Sequence, residues 1–157
     1  MKIRLLTVGA TGDRNMREAI DKYVTRIGHY APFEMKTLPD VKITRSTTEE
    51  KQKEMEGERF LSQVSPGDRL ILLDERGKEK TSREFAAEIG RLLSIMQRDV
   101  IFVIGGPYGF SRAMYDRADA MLSLTRMTMT HEMVRLFFTE QLYRAFTILH
   151  NEPYHHD

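Results

Sequence analysis

Five consecutive apolar residues, Val100-Ile101-Phe102-Val103-Ile104, constrain the fold more than any other stretch of the chain. The run is too short for a helix and rich in β-branched side chains, and a strand with no polar face must be covered on both sides. It predicts a buried central strand in a mostly parallel sheet. The strand breaks into Gly105-Gly106-Pro107-Tyr108-Gly109, after which Ser111 caps a short helix. A second apolar stub, Met121 to Leu124, opens into Thr125-Arg126-Met127-Thr128-Met129-Thr130. In open α/β sheets, ligands bind where strands exit at their carboxyl ends.

The rest of the chain alternates strand and helix. Lys2 to Val8 predicts a first strand, ended by Gly9-Ala10-Thr11-Gly12-Asp13. A dinucleotide-binding turn would need G-x-G-x-x-G spacing, which is absent, so a tight turn is the better reading. Met16, Ala19, Ile20, Tyr23, Val24 and Ile27 fall at helical spacing with Gly28 at the stop, and Phe33 to Leu38 alternates as a second strand. Ser46 to Glu50 reads as a capping box for a charged helix to about Val64, expected to rest lightly on the sheet or to grip a partner. Arg69 to Asp74 predicts a third strand exiting into a loop, Glu75-Arg76-Gly77-Lys78. Thr81-Ser82-Arg83-Glu84 is a second capping box, and Phe85, Ile89, Leu92, Leu93 and Met96 form one stripe behind it. Thr130 caps a last helix to about Leu149 whose apolar residues nearly encircle it, Phe137 and Phe146 among them. In so short a chain a second subunit is the expected cover. The pattern as a whole predicts one α/β domain over 1–157.

Charge and chemistry narrow the function mostly by exclusion. Twenty-four basic residues against twenty-three acidic give a formal charge of +1, so an RNA substrate would have to be held by a local patch or a preformed shape. There is no cysteine, which rules out disulfides and Cys-ligated metal and suits a reducing, cytoplasmic setting. No stretch is long and apolar enough to predict a membrane span. Phosphate-loop, zinc-protease and hydrolase-elbow motifs are missing, and His131-Glu132 has Arg135 where a second histidine ligand would stand. A metal site is not expected. What remains is a site of bare glycine backbone at Gly105-Gly106 and of hydroxyls and methionines in 125–130. That combination suits an adenine or ribose edge with an apolar adduct, although Met127 and Met129 also serve as core filler.

Ile104-Gly105-Gly106-Pro107-x-Gly109, Leu122-Ser123-Leu124 with Met127-Thr128, His131-x-x-x-Arg135, Glu140-Gln141-Leu142-Tyr143-Arg144-Ala145 and Pro153-Tyr154-His155 stand in one order along the chain. Together with Asp74-x-x-Gly77-Lys78 they resemble the bacterial large-subunit ribosomal RNA pseudouridine N3-methyltransferases of the SPOUT class. The resemblance implies a trefoil-knotted α/β fold, a homodimer, and S-adenosylmethionine held by Leu73, Gly105 and the run Leu124, Thr125, Arg126, Met127, Thr128 and Met129. It implies Arg144 and His155 as catalytic residues, with Arg135, Arg144, Tyr154 and His155 contacting ribosomal RNA in the assembled ribosome. His156 and Asp157 extend beyond the motif, and no role is expected of them. Arg135 and Arg144 are nine residues apart on one helix and so face opposite ways, which favours a site completed across the dimer. The competing reading is a non-catalytic ribosome- or nucleotide-binding α/β module.

Overall fold

A computed structural model covers residues 1–157. Its sheet contains β1 (Ile3–Val8), β2 (Phe33–Leu38), β3 (Arg69–Glu79), β4 (Val100–Ile104) and β5 (Ala120–Ser123), all parallel, in the order β2-β1-β4-β3-β5. Every β4 residue is buried, as its unbroken apolar run requires. Its side chains alternate between two cores: Val100, Phe102 and Ile104 enter one, while Ile101 and Val103 enter the other.

Helices α1 (Arg14–Gly28), α3 (Ser82–Ile95) and α5 (His131–Leu149) cover the first face, with α5 between the other two. Helices α2 (Glu49–Leu61) and α4 (Arg112–Arg117) cover the second. The predicted capping box at Thr81 is present, with Thr81 and Glu84 each bonding the other's backbone. The one expected before α2 is not. Thr48 alone caps α2, through the Lys51 amide, because a lysine stands where the box needs an acid. Nor does α2 rest lightly on the sheet: Glu56, Gly57 and Phe60 are buried, and a Cβ on Gly57 would meet the Ser111 hydroxyl at 2.6 Å.

Two further expectations are corrected. β3 does not end at Asp74. It runs on to Glu79, with its register against β5 shifting between Leu73 and Lys78. At Gly77 the two backbones nearly touch, and an added Cβ would lie 2.7 Å from the Leu122 amide nitrogen. Only glycine allows that approach. On α5, Phe146 is 1% exposed and stacks on Tyr30 at 5.4 Å. It is core of its own subunit, whereas Phe137 on the outer side is 36% exposed. No helix is long and apolar enough to cross a membrane.

Candidate functional site

The register sets Leu73 of β3 opposite both Ile104 of β4 and Leu122 of β5. The three strands therefore stand level at these residues, and β4 connects to β5 by stepping over β3. Above them opens a cavity of about 810 Å³, within the range of small-molecule sites. Leu73 and Gly105 line it from β3 and the β4–α4 loop. Leu124, Thr125, Met127, Thr128 and Met129 line it from the β5–α5 loop. The eighth residue expected there, Arg126, points elsewhere. Its side chain is 83% exposed and pairs with Glu79 at 2.8 Å.

The cavity also holds polar groups that the sequence reading did not place in the site. Asp74 and Arg76 follow Leu73 on β3, and Tyr115 reaches the same wall from α4. The Tyr115 hydroxyl donates to Asp74 and accepts from Arg76, whose guanidinium lies 4.7 Å from the ring centre. Burial alone would raise the Asp74 carboxyl. Hydrogen bonds from Tyr115 and from the Arg76 amide and guanidinium outweigh it and hold the group below the usual carboxylate range. Burial, with Asp74 alongside, pushes Tyr115 up to about 12. Asp74 belonged to a recognisable turn motif; nothing in the sequence marks Tyr115 or the rim cations Lys53 and Arg112.

The β1–α1 turn is not a ligand loop, because α5 fills it. Glu132 accepts from the Gly12 and Asp13 amides at 2.8 and 3.4 Å. Arg135 donates to Val8 O, Gly9 O and the Thr11 hydroxyl at 2.9, 2.7 and 2.8 Å. It is 1% exposed, and burial lowers its basicity. This corrects the expectation of a substrate contact at Arg135: the guanidinium ties α5 to the end of β1 and presents no surface.

Arg144, Tyr154 and His155 form a separate cluster around Glu140. Arg144 donates to Glu140 at 3.1 Å and lies 4.8 Å from the centre of the Tyr154 ring. The Tyr154 hydroxyl donates to Glu140 at 3.0 Å, and burial with its Tyr23 and Glu140 bonds raises its pKa. His155 lies between Arg144 and Asp157, at 3.1 and 2.9 Å. Asp157, expected to be idle, also binds Arg83 at 2.8 Å. The hydrogen bonds from Arg83 and His155 hold its carboxyl at about 2. None of these residues lines the cavity. His131 does, and at 1.5 Å of rise per residue Arg144 lies roughly 20 Å farther along α5.

Comparisons with known sequences agree on one family. A family profile described as "Predicted SPOUT methyltransferase" matches residues 1–155. A Parabacteroides distasonis protein named "Ribosomal RNA large subunit methyltransferase H" is 49% identical over 157 residues, covering 100% of both chains. A protein of the same name from Christiangramia forsetii is 50% identical over 156 residues, 99% of each chain. Among solved structures, a probable methyltransferase from Bordetella pertussis aligns with a TM-score of 0.56 at 13% identity, over 92% of this chain and 94% of that one. At such low identity the likeness concerns the fold.

Proposed function

The chain belongs to the SPOUT methyltransferase family, and on that premise we propose that it transfers a methyl group from S-adenosylmethionine to N3 of a pseudouridine in large-subunit ribosomal RNA. The observation that carries the reading is the cavity where β3, β4 and β5 stand level, lined by seven of the eight residues expected to hold the cofactor. The full-length relatives named as large-subunit ribosomal RNA methyltransferases supply the substrate class. The cavity's chemistry fits the group. Ile104, Leu124 and Val134 give apolar walls for a purine, while bare backbone at Gly105 and hydroxyls at Thr125 and Thr128 suit its polar edges. The bound cofactor supplies an electrophilic methyl on a positively charged sulfur.

The protein's own task is then to place the base and manage its proton. A ring imide nitrogen attacks only once its N–H is lost, so a cation beside the developing anion lowers the barrier. Arg144 and His155 are the residues proposed for that work, with Arg144 free to hold a phosphate instead. Tyr154 stacks on a base or closes over it. Arg135 is reassigned as a positioning residue that fixes the start of α5 beside the cavity.

With Arg144 and the tail so far along α5 from the cavity, we read the complete site as shared between two subunits. The exposed Met133 and Phe137, with Tyr23 of α1 alongside, supply an apolar face for a second copy. Residues 1–157 are taken as one cytoplasmic domain, knotted as the family resemblance implies, with assembled ribosomes as partner and no membrane or metal in the reaction. Binding of S-adenosylmethionine without affinity for ATP or NAD supports this reading over a non-catalytic module. Methylation of ribosomal RNA by the purified protein tests it.

A further inference from the structure

Helix α2 is charged along most of its length, yet it turns one carboxylate inward. Glu56 is 4% exposed, and its Oε1 has no hydrogen-bond partner. It packs on Gly106, where an added Cβ would stand 2.6 Å from Oε1 and closer still to Oε2. Gly106 itself lines the cavity. One thickness of backbone, bare of any side chain, separates a buried carboxyl group from the ligand space.

No cation in the chain accounts for that burial. Lys53, one turn earlier on α2, is engaged with Glu50 at 2.9 Å, and Arg59 donates to the carbonyls of Pro39 and Asp40. Gln52 supplies a hydrogen bond, Asp40 acts as a like charge from the β2–α2 connection, and Ser111 across Gly57 brings only a hydroxyl. Burial foremost, with Asp40 adding to it, raises the Glu56 pKa above its ordinary value. A buried carboxylate without a counter-charge is costly, and a cation nearby restores its ionised form.

We propose that Glu56 is a charge-sensing positioning residue of the cavity: across the bare backbone of Gly106 it favours a cationic occupant over a neutral one, and so the methyl donor over the spent product. The inference rests on reading the cavity as the S-adenosylmethionine site. Methyl transfer breaks the sulfur–carbon bond, returns its electron pair to sulfur and forms a carbon–nitrogen bond, with the nitrogen's proton lost to water. The charge at sulfur disappears in that step. Facing the donor, Glu56 gives up its proton; facing S-adenosylhomocysteine it takes the proton back, and the attraction holding the occupant is gone. Exchange of product for fresh donor is thereby favoured.

Calorimetric titration of the wild type and Glu56→Gln with S-adenosylmethionine and S-adenosylhomocysteine, in buffers of different ionisation enthalpy, tests this directly. The two ligands share their other titratable groups, so any difference in proton count reports the protein's response to the charge on sulfur. The wild type should release more protons on binding the donor than on binding the product. Glu56→Gln should bind both ligands with its donor preference reduced about tenfold. Equal proton counts for the two ligands, or an unchanged preference in Glu56→Gln, would overturn the proposal. If Glu56→Gln does not fold, the wild-type proton counts alone decide. A wild type that binds neither ligand overturns the reading of the cavity itself, a failure distinct from equal binding of both.

Discussion

Nη1 of Arg144 lies 3.1 Å from Nδ1 of His155, and this contact fixes the histidine's tautomer. Arginine carries no acceptor, so Nδ1 must accept, and the proton sits on Nε2, which donates to Asp157 at 2.9 Å. The tail is thus folded onto α5 by an unbroken chain from Glu140 through Arg144 and His155 to Asp157.

Arg144→Ala should remove the cation proposed to face the developing anion. Methyl transfer should slow by ~2–4 kcal/mol, about 30- to 1000-fold, while calorimetry shows cofactor affinity unchanged. Deleting Tyr154 to Asp157 should give the same split. Loss of cofactor binding in either variant would place these residues in the cavity's support instead.

Phe137→Glu and Phe146→Glu should behave differently. The first puts a charge on an exposed position and should yield a folded monomer by light scattering. The second buries a carboxylate against Tyr30, at a cost of several kcal/mol, and should abolish folding as seen by circular dichroism. A folded, dimeric Phe137→Glu would rule out the α1–α5 face as the proposed interface.

Gly77→Ala drives a methyl into the backbone of β5, which cannot rotate aside as a side chain would. The expected loss is about 1–3 kcal/mol, or roughly 2–4 °C in melting temperature per kcal/mol for a chain of this size. An unchanged melting temperature would mean that β3 and β5 separate there at little cost.

What the sequence revealed and what it hid follow one physical line. The apolar run of β4, the Thr81 capping box and the glycine loop were readable because each is a local pattern with a local cause. The extension of β3 past Asp74 was not, since Glu75-Arg76-Gly77-Lys78 has a loop's composition, and pairing with β5 resumes only at Lys78, after a register shift against a strand distant in sequence. Glu56 and Arg135 sit among residues that suit solvent or a substrate. Their burial is decided by partners fifty and more than a hundred positions away, Gly106 and the end of β1. Seven of the eight positions carried over from the family motifs line the cavity, while Arg126 turns to Glu79, because position in a loop does not fix the direction of a side chain.

Stability should depend on pH through Glu56. Its folded pKa lies above the ordinary value of 4.5, so the native state holds a proton that the unfolded chain gives up. Stability is then fully present below the unfolded value and falls as pH rises through the window up to the folded one. Glu56→Gln lacks this loss, so its melting temperature relative to the wild type should climb from acid to neutral pH. A difference that stays constant across that range would contradict a buried, protonated Glu56.

The central claim is ribosomal RNA methylation by a protein whose net charge of +1 leaves it little affinity for naked RNA through phosphate contacts alone. The most direct test incubates the protein and isotopically labelled S-adenosylmethionine with intact ribosomes or with protein-free ribosomal RNA at equal concentration. Mass spectrometry then locates the label. The expected result is a single labelled methyl on N3 of one large-subunit pseudouridine, formed far faster on intact ribosomes. No label in either sample would contradict the methyltransferase reading, and equal rates on both would contradict recognition of the assembled particle.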